Sequence, residues 1–338
     1  MKESIMKEFR NKIILVTGGT GSIGLGLIKQ LIKCNPKQIR VFSNDENSIV
    51  EIKELMGENK ILQYMVGDVR DKDRLSLAIR NVNIVFHAAA MKHIDICEEN
   101  PFDAVKTNVV GTSNILEVSI IENVQKFIFI STDKATNPTS TLGGSKLLAE
   151  RLTLDASSYV GSGGTKFAIV RFGNVIGSRG SVFQIFQKQI ANKKPLTVTD
   201  ARMTRFIMSI SEAAEMILNV THISNDGEIY ILKMPSVKIE DLAKGMIQVF
   251  RNRFGKTSIT NKIKISKSRE RERFHEFLVT EEEIPYCQDI GNMYKITKIE
   301  NKKKKIKIQE FSSETASRIN EKRLHKIINE LVDDYITY

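Results

Sequence analysis

The sequence has few cysteines and prolines and no long apolar run, and each scarcity excludes a class of protein. Its three cysteines, Cys34, Cys97 and Cys287, lie far apart without a CxxC pair, which predicts neither a disulfide framework nor a metal site. Only 6 prolines and 20 glycines among 338 residues exclude a collagen-like or low-complexity chain. No run of 18 apolar residues occurs, and residues 1–10 lack the apolar core of a signal peptide. We therefore expect no membrane segment and a cytoplasmic location.

Positive charge is in excess: 51 Lys and Arg against 40 Asp and Glu give a net charge of +11. A hydrophobic content of 41% is enough for a globular chain with a large core. Much of the excess lies in the last third, at 269–273 and 302–305. Because no nucleic-acid-binding motif accompanies these residues, we expect a solvated basic surface or a polyanionic small substrate, and no nucleic-acid partner.

Short apolar runs alternate with segments of helical length in the first half, which is typical of a parallel sheet with crossover helices. The predicted strands are 12–17, 39–43, 61–66, 84–87, 127–131 and 167–171, and the predicted helices are 23–33, 49–56, 71–80, 102–122 and 142–159. The pattern predicts an α/β fold, a Rossmann doubly wound parallel sheet over residues 1–172, with ligand-binding loops at the carboxyl ends of the strands.

The alternation of short apolar runs with helical segments ends after residue 172. We expect 173–338 to form mainly a smaller substrate-binding subdomain, with segments that return to the Rossmann core. Residues 173–183 and 198–205 have no regular pattern, and a helix is predicted from Ser211, as its N-cap, to Val220. A strand at 228–233 and helices at 239–254 and 316–335 complete the prediction.

A glycine-rich turn follows the first predicted strand. Ile13–Val16 leads into Thr17-Gly-Gly-Thr-Gly-Ser-Ile-Gly24, in which Gly18, Gly21 and Gly24 are spaced by three immediately before an amphipathic helix. Glycine permits the tight turn and a close backbone approach, and the helix N-terminus presents N–H groups to an anion. This context predicts a pyrophosphate-binding turn.

Two later segments complete a dinucleotide site. In Gly67-Asp-Val-Arg-Asp71 an Asp side chain and the following amide can bind an adenine, and in His87-Ala-Ala-Ala90 small residues allow close backbone approach. With the glycine turn, these segments resemble the extended short-chain dehydrogenase/reductase family. The resemblance implies NAD or NADP held by Gly18, Thr20, Gly21, Ser22, Ile23, Gly24, Ser43, Asn44, Asp45, Asp68, Val69, Ala88, Ala89, Ala90 and Lys146.

The end of the second strand bears on the choice of cofactor. An acidic residue about 20 positions after the glycine turn favours a free ribose 2′-hydroxyl and hence NAD. However, Ser43-Asn-Asp-Glu46 is similar to Ser-Arg-Asp-Glu of relatives that use NADP, with Asn44 in place of the arginine. NADP and NAD both stay open, with NADP slightly favoured.

The fifth predicted strand is followed by a segment rich in hydroxyl and charged side chains, Ser131-Thr-Asp-Lys-Ala-Thr-Asn-Pro138, and then by Gly143-Gly-Ser-Lys146. The superfamily normally has Tyr-x-x-x-Lys here, in which the tyrosine exchanges the proton of the substrate hydroxyl. Lys146 is present, but the tyrosine position is Leu142, which cannot accept a proton. Asp133 and Lys134, an acid beside a base at a ligand-facing edge, are candidates for that chemistry.

This segment is similar to STDKAxNPTNxxGATKxxAE of the UDP-N-acetylglucosamine 4,6-dehydratases. Further stretches resemble the same group: 87–109, 171–182, 200–206 and, in degraded form, 268–276. The resemblance implies oxidation at sugar C4, elimination of water across C5 and C6, and return of hydride to C6.

The resemblance also implies roles for individual residues. Asp133 would transfer a proton at the C6 oxygen, and at C4 in the absence of the tyrosine, and Lys134 would be the base at C5. Thr132 would hydrogen-bond the C4 oxygen, and Lys146 would hold the nicotinamide ribose. The UDP-sugar would be bound by Lys92, Asn174, Arg179, Arg205, Arg269 and Glu272. A homo-oligomer, a dimer through helices 102–122 and 142–159 or a higher assembly, is also implied.

Two alternatives stay open. A nucleotide-sugar 4-epimerase shares the fold, the cofactor and C4 oxidation, but it needs no base at C5. A catalytically silent NAD(P)-binding regulator is suggested by Leu142 and by the degraded stretch at 268–276. The stereochemistry at C5 is not determined by these motifs.

Overall fold

The structure is a computed structural model that describes residues 2–161, 163–255, 262–266, 272–297 and 308–336. Arg269 and Lys302–Lys305 lie outside these ranges. The contacts between backbone segments divide the chain into two units. The first comprises Met1–Phe172, Ser211–Lys233 and Thr280–Lys305, and the second comprises Gly173–Ile210, Met234–Val279 and Ile306–Tyr338.

The strands, in chain order, are β1 (Ile13–Thr17), β2 (Gln38–Ser43), β3 (Leu62–Val66), β4 (Ile84–His87), β5 (Lys126–Thr132), β6 (Lys166–Phe172), β7 (Asn174–Val175), β8 (Leu196–Val198), β9 (Thr204–Met208), β10 (Glu228–Leu232), β11 (Ser236–Lys238), β12 (Ile263–Ile265), β13 (Cys287–Asp289) and β14 (Met293–Ile296). The α-helices are α1 (Glu3–Phe9), α2 (Ser22–Leu31), α3 (Glu46–Met56), α4 (Lys72–Ile79), α5 (Ile94–Glu99), α6 (Pro101–Val105), α7 (Gly111–Ile121), α8 (Thr141–Asp155), α9 (Val182–Ala191), α10 (Ile210–Ile223), α11 (Ile239–Phe254) and α12 (Glu321–Ile336).

A nine-stranded sheet forms the centre of the first unit, in the order β13-β14-β10-β6-β5-β4-β1-β2-β3. The seven strands from β3 to β10 are parallel, and β14 and β13 extend this sheet as an antiparallel pair. The central strands β1, β4, β5 and β6 are nearly continuous apolar runs, because helices cover both faces of such a sheet. This doubly wound sheet confirms the predicted fold class.

The strand order places the carboxyl ends of β1, β4 and β5 side by side. The register pairs Thr17 with His87 across β1 and β4, and His87 with Phe129 across β4 and β5. Loops that leave these strands therefore meet at one edge, where β1 and β4 lead to opposite sides of the strand order. The glycine turn and the segments that begin at Ala88 and Asp133 all start there.

The second unit has its own core. A three-stranded sheet in the order β11-β9-β7 and the parallel pair β12-β8 are accompanied by α9, α11 and α12. Phe183, Phe186, Leu242, Met246 and Ile328 are among the side chains buried in this core. The amphipathic spacing of α11 and α12 is explained by their mutual packing, because each has an apolar stripe to bury.

Several predicted elements differ from the structure. The single helix predicted at 102–122 is divided into α6, a π-helical turn at Lys106–Val110, and α7, because Gly111 N–H bonds to the carbonyl oxygen of Lys106 five residues back. Ser211 was predicted as an N-cap, but α10 already begins at Ile210. Helix α9 and strand β7 replace part of the region predicted to be irregular, and α12 begins at Glu321 rather than at residue 316.

Candidate active site

The glycine turn after β1 depends on close backbone contact. Gly18 has a φ of +64°, and a Cβ added there would lie 2.7 Å from the backbone nitrogen of Ala89 and 2.8 Å from the carbonyl carbon of Ala88. A Cβ on Gly24 would overlap the carbonyl oxygen of Gly18. Both positions therefore require glycine for steric reasons. The predicted residues of the turn and of the segment after β4 are thus brought together.

Helix α2 begins directly at this turn, with Gly21 as its extended N-cap. The Gly21 amide donates to the Gly18 carbonyl oxygen at 2.9 Å, while the first-turn amides of Ser22, Ile23 and Gly24 lie at the positive end of the helix. Thr20 Oγ1 and Ser43 Oγ, both buried, are 2.7 Å apart and join the turn to the end of β2. This cradle fits the pyrophosphate of a dinucleotide.

The residues that follow β2 and β3 form a polar cluster. Asp45 caps α3 by accepting from the Ser48 amide at 3.0 Å, so this carboxylate has a local structural partner. Asp68 accepts from the Asn44 side-chain amide at 3.2 Å and from Arg70 Nη2 at 2.7 Å. Burial alone would raise the pKa of Asp68, but its hydrogen bonds from Arg70 and Asn44 hold that pKa below its usual value. These residues could hold the adenosine part of a dinucleotide, with Asp68 as an anion.

The strongest chemical feature lies where β5 ends. Asp133 is fully buried, and its Oδ1 accepts from Lys134 Nζ at 3.0 Å and from Thr132 Oγ1 at 2.9 Å. The Lys134 side chain is 23% exposed, so the pair is not fully enclosed by the protein. Asp133 Oδ2 and Ser131 Oγ are buried without a hydrogen-bond partner among the described residues. Buried polar atoms are nearly always hydrogen-bonded, so these two atoms mark the end of β5 as a candidate site.

A glycine allows the turn Asp133–Ala135 to lie against α8. We call it the catalytic turn because it carries the candidate residues Asp133 and Lys134. Ser140 caps α8 by accepting from the Gly143 amide at 3.2 Å. A Cβ on Gly143 would overlap the carbonyl oxygen of Lys134 and would lie 2.9 Å from Pro138 Cβ. At Gly144, one residue later, an added Cβ would meet nothing within 4 Å. Gly143 therefore sets the distance between Lys134 and the helix that carries Lys146.

Lys146 projects from α8 into the interior and is 6% exposed. Its ammonium donates to the Ile130 carbonyl oxygen at 2.7 Å and lies 4.0 Å from the centre of the Phe129 ring. Burial lowers the pKa of Lys146 from 10.5 to about 7, against the opposing effect of the Glu150 carboxylate. A buried donor on α8, beside the carboxyl end of β5, fits a role in binding the nicotinamide ribose.

Leu142 occupies the tyrosine position of the superfamily and is itself buried. It packs with Cys97 and Ala104, and Met91 and Ile94 contact the same small apolar cluster. Its hydrocarbon side chain cannot exchange a proton, so Asp133 and Lys134 stay the acid–base candidates that the sequence indicates.

Two polar residues that the motifs contain were not assigned a role from the sequence. Asn108, in the π-helical turn, accepts from the Met91 amide at 2.8 Å and donates to the Met91 carbonyl oxygen at 3.1 Å and to Ser145 Oγ at 2.9 Å. It therefore fastens the segment after β4 to α8. The signal that could have indicated it is a polar side chain at a core-facing position inside a matched motif.

His87 is the second of these residues. Thr112 Oγ1 donates to the Asn108 carbonyl oxygen at 2.7 Å, so it must accept from His87 Nε2, at 3.1 Å. His87 Nδ1 then accepts from Thr17 Oγ1 at 2.6 Å. Burial, together with the charge of Lys146, lowers the pKa of His87 to about 3. The imidazole is thus neutral and supports the ends of β1 and β4.

In the second unit, Arg205 on β9 lies between two carboxylates, 3.4 Å from Glu272 and 3.7 Å from Glu276. Asn174 lies on β7, and Arg179 is exposed in the loop before α9. In the first unit, Lys92 is exposed after β4. The structure thus brings Arg205 and Glu272 together, while Arg269 lies outside the described residues.

The described parts of the chain lack both a cluster of metal-binding side chains and a membrane-spanning helix. No group of three or more His, Cys, Asp or Glu side chains there could hold a metal ion. No helix in those parts has both the length and the apolar composition to cross a bilayer.

Comparisons with known proteins extend these observations. Residues 14–298 match the family described as "Polysaccharide biosynthesis protein". An uncharacterized membrane protein of Methanocaldococcus jannaschii is 46% identical over 98% of this chain and 99% of that protein. A UDP-N-acetylglucosamine 4,6-dehydratase (inverting) of Campylobacter jejuni is 38% identical over 86% of this chain and 84% of that protein. A UDP-glucose 4-epimerase of Rickettsia akari is 34% identical over 97% and 98% of the two chains.

Among solved structures, Pen from Bacillus thuringiensis superposes with a TM-score of 0.88 at 37% identity and covers 95% of this chain and 98% of that one. The family match covers most of the chain, and the relatives of known activity act on nucleotide sugars. The chain therefore belongs to the polysaccharide-biosynthesis family of nucleotide-sugar dehydratases and epimerases, within the extended short-chain dehydrogenase/reductase fold.

Proposed function

We propose that the protein is a UDP-N-acetylglucosamine 4,6-dehydratase, a lyase that forms a UDP-4-keto-6-deoxy-N-acetylhexosamine. The observation that carries the proposal is the ion pair between buried Asp133 and partly exposed Lys134 at the carboxyl end of β5, with a leucine at the tyrosine position. The Campylobacter jejuni relative supports the same substrate. An elimination needs both an acid and a base, whereas hydride transfer at C4 alone does not need a base for C5.

The cofactor would be NADP or NAD, held by the cradle around Gly18 and Gly24, by the polar cluster around Asp68, and by Lys146. Bound nicotinamide would supply the hydride acceptor for oxidation at C4 and the hydride donor for reduction at C6. The glycines would admit the pyrophosphate, because a Cβ at either position would occupy the backbone contact on which the turn depends. Lys146 would orient the ribose through its buried ammonium.

The Asp133–Lys134 contact can supply both members of the acid–base pair. The two groups lie 3.0 Å apart, so they can act on neighbouring atoms of one substrate. Lys134 would act in its neutral form, after its ammonium has released a proton to solvent, and Asp133 would act as an acid once it carries the proton of the C4 hydroxyl. The neutral Lys134 amine would remove the proton from C5, and Asp133 would protonate the C6 hydroxyl as it leaves as water. When hydride returns to C6, the Lys134 ammonium would give a proton to C5, so the amine and the carboxylate are ready for another cycle.

Oxidation at C4 requires a group that accepts the hydroxyl proton, since Leu142 cannot. Asp133 Oδ2, which is buried and has no partner among the described residues, would accept that proton. Thr132, which donates to Oδ1 of the same carboxylate, would hydrogen-bond the C4 oxygen. One carboxylate would thus serve C4 and C6 in succession, which is possible because the proton taken at C4 is the proton given at C6.

Residues 173–338 would provide most of the side chains that bind the substrate. We assign Lys92, Asn174, Arg179, Arg205, Arg269 and Glu272 to binding of the UDP-sugar. Arginine suits a diphosphate through paired hydrogen bonds, and Glu272 would accept from ribose hydroxyls. Because Arg205 already lies between Glu272 and Glu276, its charge is largely balanced within its own unit.

The Rickettsia akari relative favours UDP-sugar 4-epimerisation as a second candidate. Incubation with UDP-N-acetylglucosamine and mass spectrometry separates the two, since a dehydratase product has lost water and an epimer has the same mass. The expected result is loss of water by the wild type, none by Lys134→Ala, and binding of substrate by both. Water loss by Lys134→Ala at the wild-type rate would remove Lys134 as the base.

We also propose a homo-oligomer. Large apolar side chains are exposed on the helices that the resemblance places at an interface, on α6, α7 and α8. Phe102 is 81% exposed, Ile121 68% and Leu148 54%. Isolated exposed apolar residues are common, but several on neighbouring helices of one unit favour an interaction surface.

A further inference from the structure

Two residues of the matched motifs have no part in the proposed chemistry, and both are charged and buried. Arg171, on β6, and Glu150, on α8, have side-chain exposures of 1% and 2%. Glu150 lies one turn after Lys146 on the same helix, so both side chains project from one face. Charged side chains are rarely buried in this way unless they are paired.

Arg171 is bound on two sides by carboxylates. Its Nε and Nη2 donate to the two oxygens of Glu150 at 3.0 and 2.6 Å. Its Nη1 and Nη2 donate to the two oxygens of Glu283 at 2.7 and 2.8 Å. The Thr280 amide donates to Glu283 at 3.0 Å, which fixes this carboxylate in turn. We call Arg171, Glu150 and Glu283 the buried triad.

The buried triad joins three parts of the first unit that are far apart in sequence. Arg171 is on the central sheet, Glu150 is on α8, and Glu283 belongs to the returning segment 280–297. Arg171 and Glu283 are 112 positions apart in sequence, and the residues between them include much of the second unit. The triad therefore links α8 to β6 of the central sheet and to the segment 280–297.

Stability alone explains such a triad poorly, because replacing buried ion pairs by apolar side chains of similar volume is often neutral or stabilising. Its charges do have a local consequence: one guanidinium and two carboxylates sum to a net charge of −1. Other groups around Lys146 include the neutral His87 on β4, and the Phe129 ring and Ile130 carbonyl on β5. Among the residues that the structure describes, the Glu150 carboxylate is the charged group that favours the ammonium of Lys146.

We propose that the buried triad is a positioning device for Lys146, holding α8 in place and supplying the counter-charge that favours the protonated form of the lysine in the interior. The role of Lys146 as a ribose-binding group rests on the proposed function, whereas the coupling of the triad to Lys146 does not. Burial acts against the ammonium, and the carboxylate of Glu150 opposes that effect.

The titration of Lys146 tests the coupling directly. Protein labelled with ¹³C at the lysine Cε carbons gives a signal for Lys146, identified by its loss in Lys146→Arg, and the wild-type midpoint is expected near 7. Glu150→Gln keeps the side-chain shape and removes the charge, so the midpoint should fall by about 1 pH unit or more. Glu283→Gln should lower it less, since this carboxylate contacts only Arg171 within the triad.

Glu228→Gln is the matched control. Glu228 is also a buried carboxylate of the first unit, paired with Tyr230 and Lys295 at the β10–β14 edge. Its substitution should lower stability without moving the Lys146 midpoint. An unchanged midpoint in both Glu150→Gln and Glu283→Gln would overturn the proposal and leave the triad a structural element.

Dinucleotide binding is measured separately, from the fluorescence of NADPH and NADH. The pH above which dinucleotide binding is lost should fall together with the Lys146 midpoint in Glu150→Gln. A wild-type protein that binds neither dinucleotide, but shows the expected midpoints, would contradict the proposed function and leave the coupling of the triad intact.

Discussion

Gly143 and Gly144 are adjacent in the first turns of α8, yet they should respond in opposite directions to alanine. A Cβ at Gly143 would lie under 3.0 Å from the Lys134 carbonyl oxygen, whereas a Cβ at Gly144 would meet nothing within 4 Å. The two substitutions make the same chemical change in the same helix. Their difference therefore isolates the contact between α8 and the catalytic turn.

The size of the effect follows from that contact. Ordinary contacts of a Cβ begin near 3.4 Å, so Gly143→Ala must displace the Lys134 backbone by at least 3.4 − 3.0 = 0.4 Å. A misplacement of about 1 Å in a catalytic group costs roughly 100-fold in rate, so about half that displacement should cost about tenfold in kcat. Overpacking costs about 1–3 kcal/mol of stability, against about 0.5–1 kcal/mol gained when alanine replaces a helical glycine.

Thermal unfolding followed by circular dichroism and kcat for dehydration test this pair of variants. Gly144→Ala should raise the unfolding temperature and keep kcat, and Gly143→Ala should lower both. Equal activity in the two variants would refute the claim that Gly143 positions Lys134. A Gly143→Ala protein that unfolds early but keeps its kcat would refute it equally, because the packing cost would then not reach the catalytic turn.

Three further predictions follow from the structure. Because His87 is neutral and its pKa is lowered from 6.5 to about 3, its contribution to stability is complete above pH 6.5 and is lost as the pH falls toward 3. By pH 4.5 the loss should reach about 2–3 kcal/mol. The free energy of unfolding in urea should therefore fall more steeply with decreasing pH in the wild type than in His87→Gln. Parallel curves for the two proteins would contradict this prediction. Gly24→Ala should weaken NADPH and NADH binding at least tenfold. The control Gly161→Ala should leave binding unchanged, because a Cβ there meets nothing within 4 Å. Equal affinities in the two variants would exclude the cradle around Gly24 as the dinucleotide site. Phe102→Glu should reduce the oligomer to a smaller species in light scattering. The control Phe254→Glu, which also changes an exposed phenylalanine, should leave the mass unchanged. An unchanged mass for Phe102→Glu would exclude the face of α6, α7 and α8 as the interface.

The sheet of the first unit could be predicted because its strands are short apolar runs separated by helical segments. Each of the six strands predicted in residues 12–171 is present within one residue at either end. The division of 102–122 could not be predicted, because the spacing of its apolar residues continues through the π-helical turn at Lys106–Val110. Helix α1 was missed because it is short, and only Ile5 and Phe9 of its residues are buried.

The contact between Asp133 and Lys134 could be predicted because the two residues are neighbours in sequence, and their side chains form an ion pair. The support for Lys146 could not, because Glu283 reaches Arg171 across 112 residues and no local pattern indicates such a partner. Burial was also invisible in the sequence: Lys146 lies in a motif with polar neighbours, yet it is almost fully enclosed.

The proposed reaction is tested most directly by incubation with UDP-N-acetylglucosamine in D2O, followed by NMR and mass spectrometry of the product. Removal of the C5 proton by Lys134 and its replacement from solvent predict a 4-keto-6-deoxy product that has lost one water and carries deuterium at C5. An unchanged mass with inversion at C4 would contradict the dehydratase assignment and identify an epimerase. A product that has lost water without deuterium at C5 would contradict exchange at the proposed base.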